Sequence, residues 1–373
     1  MHQELRPGDV ERIRRAVRPR RLRAAHARLE PLESHEAARE EWSELARASG
    51  NVFATWEWAS IWWRHFGGDR PLLALSCRSA AGRPVAILPL YLWSSWPFRI
   101  VRFVGHGPAD ELGPVCAPAD RGAAAAGLRR ALAELAPEWD LFVGEQLPRD
   151  ERWHSQLGGR VLSREGSPVL HAPGGWERYL ASRSANLRQQ VRRRERRLEQ
   201  GHELRYRLAD DPDRLPQDLD TLFGLHGAAR DDRTSAFART HAAFHREFAA
   251  CALERGWLRL WFLELDGTPR AAWYGLRFGG AESYYQAGRD PAWRTSSVGF
   301  VLLAHSIRAA LEDGVHEYRF LRGNEPFKYR FADADPGLET VAVARGAAGS
   351  AALGAASLGR RGPLAALRRH VVA

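Results

Sequence analysis

Lysine is nearly missing from this 373-residue chain, in which 54 arginines stand against one lysine, Lys328. Genome base composition explains such a skew more simply than ligand choice does. The formal net charge of +10 therefore points to no nucleic acid on its own. Cysteine is almost as scarce. Cys77, Cys116 and Cys251 are odd in number and far apart, with no C-x-x-C spacing, which excludes a disulfide framework and a cysteine-based metal site. They read as reduced structural thiols, and no metal is expected. No apolar run approaches the ~20 residues of a membrane span. The charged opening MHQELRPGDVERIRRAVRPRRLR lacks the apolar stretch of a signal peptide. A cytoplasmic protein is expected, with peripheral contact at the inner membrane face left open.

The length suits two domains, and 45% hydrophobic residues can fill two cores. After a basic leader (1–33), aromatic and aliphatic residues from Trp42 to Phe66 recur at helical spacing. Leu72 to Cys77, Pro84 to Trp93 and Phe98 to Val104 read as strands broken by SAAG and SSWP. A helix from Arg121 to Leu135 and a strand at Trp139 to Val143 follow. The second half repeats this order: Leu258 to Leu265, an Asp266-Gly267 turn, Ala271 to Phe278, Ser283 to Ala287, a helix, and Tyr318 to Leu321. Local matches such as GRPVAILPLYL with GTPRAAWYGLRF suggest one α/β unit used twice, offset by roughly 180 residues. Chance similarity in an Ala/Arg/Leu-rich chain is the competing reading. The expected domains are 34–170 and 171–345, followed by a mobile Ala/Gly/Arg-rich tail over 346–373.

The helix after Ser297 carries apolar residues at Phe300, Leu303, Ala304, Ile307, Ala310 and Leu311, and stops at Gly314. Ser296 or Ser297 is placed to cap it, and Gly299 permits close backbone approach. The N–H groups of a first helical turn attract anions, and Arg289 and Arg294 stand just upstream. A plain Ser-capped helix is the alternative. In the equivalent loop of the first half, Asp110, Glu111 and Asp120 would repel a phosphate, and Asp120 can cap the helix itself. Only the second half is therefore expected to bind an anionic group. The run EYRFLRGNEPFKYRF (317–331) then offers Glu325 as an orienting or basic carboxylate, Arg322 and Asn324 as acceptor-binding residues, and Lys328, an ammonium kept where arginine is the rule. A surface salt-bridge cluster would look the same in sequence.

Six segments in order resemble the CelD/BcsL-type acyltransferases, tandem-GNAT proteins related to the FemX-like aminoacyl transferases. They are NVFATWEWASIWWRHF, VAILPL, LRQQVRRRERRLEQG, LFGLHGAAR, YYQAGRDPAWRTSSVGFVLLAHSIRAALEDG and LRGNEPFK. The chain departs from that pattern at Arg319, where an acidic residue is usual, and at Phe327, where a tyrosine is usual. The resemblance implies an α/β (α+β) tandem GNAT-like fold, two mixed sheets flanked by helices, with a degenerate first copy. It also implies acetyl-CoA or another acyl-CoA as donor, its pyrophosphate resting on Ser297, Val298, Gly299 and Phe300. A backbone N–H near Gln286 or Ala287 would polarise the thioester carbonyl. Glu325 and His226 become the candidate bases and Tyr285 a candidate acid, although a histidine within LFGLHGA also suits a core.

The expected activity is direct acyl transfer to an amine or hydroxyl of a small molecule or glycan precursor, in cell-surface polysaccharide or envelope metabolism. Two alternatives stand beside it: a FemX-like transferase using aminoacyl-tRNA on a peptidoglycan precursor, and a non-catalytic module that binds an anion or a partner. Nucleic acid is expected only in the form of tRNA. The arginines of Leu187 to Leu198 read as a solvated face, or as a contact for CoA phosphates, an anionic membrane or tRNA.

Overall fold

The computed structural model describes residues 28–32, 36–95, 98–135, 138–172, 174–229 and 236–358. The basic run 1–27 and the last residues, 359–373, lie outside the described residues, as does part of the SSWP break. The chain divides into two compact units, one of residues up to Glu165 together with those from Gly337 onward, the other Gly166–Pro336.

The first unit opens with β1 (Arg28–Pro31), a strand where only a basic leader was expected. It pairs antiparallel with β2 (Leu75–Arg78), which pairs with β3 (Pro84–Leu88). The apolar run expected as one strand from Pro84 to Trp93 is divided at Pro89, which has no N–H to give a ladder. Its second part, β4 (Leu90–Ser95), starts a different, five-stranded sheet in the order β4-β5-β6-β14-β7. In that sheet β5 (Phe98–Phe103) runs parallel to β6 (Leu141–Pro148), and α3 (Arg121–Glu134) connects them; α1 (Arg39–Ser49) and α2 (Trp56–Trp62) precede β2. Strand β14 (Leu338–Ala344) lies between β6 and β7 (Arg160–Glu165), so residues 337–345 belong with the first unit and not the second. This pairing joins residues nearly 200 positions apart, which local sequence patterns do not reveal. The expected mobile tail is also corrected: its start forms α11 (Gly346–Leu358), an Ala-rich helix that buries Ala352 and Leu353 against Ile100, Leu141 and Ala342.

Past the Arg102↔Val143 pair, β5 and β6 part, and the opening is filled by side chains. Fully buried Arg102 donates to Glu145 Oε1 at 2.6 Å, and His106 Nε2 lies 3.1 Å from Glu145 Oε2. The Arg102 guanidinium rests on the Trp93 ring at 4.4 Å. Burial would push the Glu145 carboxyl up, but His106 and Arg102 together hold it below the usual carboxylate range. Burial pushes the Cys77 and Cys116 thiols up to about 12, as suits inert structural cysteines.

The second unit has one six-stranded mixed sheet, β8-β13-β12-β11-β10-β9. Its strands are β8 (Val169–His171), β9 (Leu204–Leu208), β10 (Leu258–Leu265), β11 (Thr268–Phe278), β12 (Ala281–Arg289) and β13 (Glu317–Arg319). Asp266 and Gly267 both have positive φ, which matches the twist of the β10–β11 hairpin. The helices α5 (Gly175–Ser182), α6 (Ala185–Gly201) and α9 (Val298–Glu312) cover one face around Leu187, Val191, Leu302 and Ile307. Helices α7 (Leu215–Ala229) and α8 (Ala242–Glu254) pack against β10 to β12 as well, with Phe237 and His245 over Tyr274 and Tyr285. As in the first unit, a helix joins two parallel strands: β12, α9, β13.

At the centre of this unit the buried Tyr318 hydroxyl accepts from Trp273 Nε1 and bonds Ser306 Oγ, both at 2.9 Å, tying β13 to β11 and α9. Burial holds its phenol in the neutral form.

Two predictions follow from these buried polar groups. Tyr318→Phe leaves the Trp273 indole N–H unpaired, while the Ser306 hydroxyl keeps its bond to the Leu303 carbonyl, and should cost about 1–3 kcal/mol in urea unfolding, whereas Ile307→Val in the same core should cost no more than about 1.5. Glu145→Gln should destabilise the first unit by about 3–5 kcal/mol at neutral pH by breaking a buried ion pair. A carboxyl with a depressed folded-state pKa contributes stability above its unfolded value and loses it as pH falls through the folded value. The gap between wild type and Glu145→Gln, read from melts at several pH values, should therefore close below the ordinary carboxylate range.

Candidate functional site

The parallel pairing of β12 and β13 covers only Ala281↔Glu317, Glu282↔Tyr318 and Ser283↔Arg319. Beyond it the strands splay, and α9 begins at the opening. One register irregularity shapes the wall: opposite Tyr274 and Gly275, strand β12 pairs through Gln286 and Tyr284, leaving Tyr285 as an extra residue. A bulge of this kind re-aims side chains. Tyr284 stacks on Trp273 at 3.8 Å, while Tyr285 packs near His245 and Phe237.

The resulting cleft has a volume of about 490 Å³ and is floored by Trp273, Tyr284, Leu302 and Leu303. Of the residues singled out from sequence, Ala287, Arg289, Arg294, Ser297, Val298, Gly299, Phe300 and Glu325 line it. Gln286, Ser296, Arg322, Asn324, Lys328, His226 and Tyr285 are not among its lining residues.

Several of these side chains have other partners. His226 is buried and its Nδ1 donates to the Ala287 carbonyl at 2.8 Å, so it braces the cleft wall from behind. That approach is close enough that a Cβ at Gly288 would overlap the α7 backbone at His226. Asn324 Oδ1 accepts from Gly166 N and from the Tyr329 hydroxyl, which ties the loop down. Lys328 Nζ donates to the Arg322 carbonyl at 2.6 Å and lies 3.0 Å from Glu325 Oε2. Arg319, at the first departure from the family pattern, pairs with Glu317 at 2.6 Å; Phe327, at the second, lines the cleft beside Tyr284.

Ser296 or Ser297 was expected to cap α9, and the residue at the cap position is Ser297. It adopts a left-handed conformation (φ 60°) and makes no side-chain cap bond. Asp120 likewise does not cap α3 with its side chain; its carboxylate forms a bidentate pair with Arg83 at 2.8 and 2.9 Å, which holds its pKa below the usual range.

Four guanidiniums, Arg194, Arg289, Arg294 and Arg330, line the cleft, and among the described residues no carboxylate pairs with any of them. Arg194 and Arg330 both lie against the Phe300 ring, at 4.6 and 4.8 Å. Burial and the neighbouring Arg330 and Arg193 charges lower the Arg194 pKa, as cations crowded without an anion should. The acidic group of the cleft, Glu325, is already beside Lys328. Sequence reading missed Trp273, Tyr284, Arg194 and Arg330, and marked Phe327 only as a departure from the family pattern. Arg194 was seen only as part of a charged helix, and Tyr284 was hidden by the bulge. Among the described residues no group of His, Cys, Asp or Glu could hold a metal ion.

This geometry has known counterparts. Residues 185–329 match the family model of the acetyltransferase (GNAT) domain. The chain resembles the crystal structure of FemX with a TM-score of 0.61 at 12% identity, over 85% of this chain and 97% of that one. A protein of unknown function from Bacteroides thetaiotaomicron gives a TM-score of 0.56 at 12% identity, with 85% and 99% coverage. L-PGS from Bacillus licheniformis gives 0.52 at 14% identity, with 86% and 97% coverage. At these identities the likeness is one of fold. No curated protein matches the sequence. The chain is thus an enzyme of tandem GNAT-like fold, and the match to the acetyltransferase (GNAT) domain falls within its second unit.

Proposed function

We propose that this enzyme transfers an acyl group, acetyl foremost, from coenzyme A directly to an amine or hydroxyl, with the second-unit cleft as donor site. The observation that carries this reading is the charge of the cleft: four guanidiniums stand beside the first turn of a 15-residue helix, and among the described residues no carboxylate pairs with them. The diphosphate and 3′-phosphate of an acyl-CoA supply the missing anions. The pantetheine arm then has the splay between β12 and β13 to follow, with Tyr284 and Trp273 as its apolar wall. Glu325 takes the proton from the acceptor, whose lone pair attacks the thioester carbonyl carbon. The C–S bond breaks, and the departing thiolate is protonated by Tyr284, which supplies at the cleft the phenol that Phe327 lacks. In the first unit Arg102, Glu145 and Trp93 occupy the place between β5 and β6 that corresponds to this opening. That supports a degenerate first copy. Resemblance to CelD/BcsL-type proteins supports an envelope or polysaccharide precursor as acceptor, with the enzyme in the cytoplasm.

A second reading has one observation in its favour. Arg192, Arg193, Arg196 and Arg197 form an exposed basic face on α6, the helix that also sends Arg194 into the cleft. A tRNA backbone would fit such a face, as a FemX-like aminoacyl-tRNA-dependent transferase requires.

Titration calorimetry separates the two. Acetyl-CoA should bind the wild-type protein, and Arg289→Ala with Arg294→Ala should weaken it at least about tenfold. Gly299→Leu should weaken it comparably while leaving the melting temperature in place, because a Cβ at Gly299 meets only Arg289 Cδ at 3.7 Å and a larger side chain fills the cleft. No heat with millimolar acetyl-CoA, together with tight and steeply salt-dependent binding of charged tRNA, would overturn the CoA reading in favour of the second.

A further inference from the structure

Lys328 is the one lysine of the chain and is only 2% exposed. Its ammonium sits in a cup of three acceptors: the Arg322 carbonyl at 2.6 Å, Glu325 Oε2 at 3.0 Å and the Leu321 carbonyl at 3.5 Å. The Tyr284 ring lies 5.7 Å away. Acceptors converging on one point suit the compact N–H donors of an ammonium. They do not match a guanidinium, whose donors fan out in a plane on a bulkier head. The loop around the cup is bent to fit. Leu321 has φ 54°, unusual for a branched side chain, and Gly323 has φ 126°. A Cβ at Gly323 would overlap the Glu325 carboxylate and reach 2.9 Å from Lys328 Nζ. The far side of the loop is anchored too, by Gly323 N to the Gly166 carbonyl and by Asn324 to Gly166 N, each at 2.9 Å.

We infer that Lys328 is a positioning residue that sets Glu325 at the lip of the donor cleft, and that this three-acceptor cup is why a lysine stands where arginine is the rule. The role rests on the acyltransferase reading for its consequence in catalysis, but its geometry can be tested without turnover. Lys328 is not among the residues that line the cleft, so its loss should leave the donor phosphates' contacts with the arginines intact while the carboxylate that meets the acceptor drifts. Arginine, despite keeping the charge, should not restore the cup.

A lone lysine makes the direct test simple. In protein carrying ¹⁵Nζ-lysine and no lysine-containing tag, the Lys328 ammonium should give one slowly exchanging ¹H–¹⁵N signal at neutral pH, and Glu325→Gln should shift it. A fast-exchanging signal that ignores Glu325→Gln overturns the inference whether or not the enzyme uses CoA. With an acceptor in hand, Lys328→Met and Lys328→Arg should lower kcat about 10- to 100-fold with acetyl-CoA affinity unchanged. Lys328→Met combined with Glu325→Gln should be no slower than Glu325→Gln alone, and methylammonium should restore part of the rate to Lys328→Ala. Wild-type kcat in Lys328→Arg, or equal losses in donor affinity and kcat, would show that the residue does not position Glu325. If wild-type protein fails to bind acetyl-CoA while the protected lysine signal is present, the donor assignment is wrong and the cup stands.

Discussion

Everything in the second-unit site depends on how briefly β12 and β13 stay paired. Three residue pairs hold them parallel, and the Tyr318 hydroxyl, bonded to Trp273 and Ser306, fixes the last of the contact to β11 and α9. Past Ser283 and Arg319 no further ladder pair joins the strands among the described residues, and the start of α9 lines the cleft there. A buried three-way hydroxyl node suits this task because each partner must stay in place or leave a polar group unpaired in the core. Trp273 belongs to both the node and the cleft, so the core packing and the shape of the donor wall are one constraint.

Electrostatics then separates the two splayed strand pairs. In the first unit the opening is closed by its own ions: Arg102 is neutralised by Glu145, with His106 beside them. In the second unit four arginines line an open cleft, and among the described residues no carboxylate pairs with them. The same residue type is a structural plug in one unit and, on the proposed function, a recognition element in the other. What decides between the roles is whether a carboxylate lies within reach, a property of three-dimensional placement that arginine counts do not show.

Much of the fold could be read from the sequence. Leu258 to Leu265 and the Asp266-Gly267 turn are observed as expected, and the helix after Ser297 ends where Gly314, at φ 80°, requires. Helical and strand periodicity carried those assignments because they are local. The failures have non-local causes. Leu338–Ala344 reads as an ordinary short strand, and only its pairing with β6 and β7 returns it to the first unit. Tyr285 looked like the tyrosine of the site, but one extra residue in the β12 ladder hands that place to Tyr284. His226 could be read as a base or as a core histidine, and its buried ring donates to the Ala287 carbonyl. Lys328 was flagged by its rarity alone, and the reason for it became visible only when three acceptors were seen to converge on one ammonium.

The most direct test of the account is a crystal structure of the protein with acetyl-CoA. The diphosphate should lie against the first turn of α9, within reach of Arg289 and Arg294, with the thioester between β12 and β13 near Tyr284 and one donor bound per chain. Donor density in the splay between β5 and β6, or a diphosphate held on the exposed arginines of α6 with the second-unit cleft empty, would contradict it.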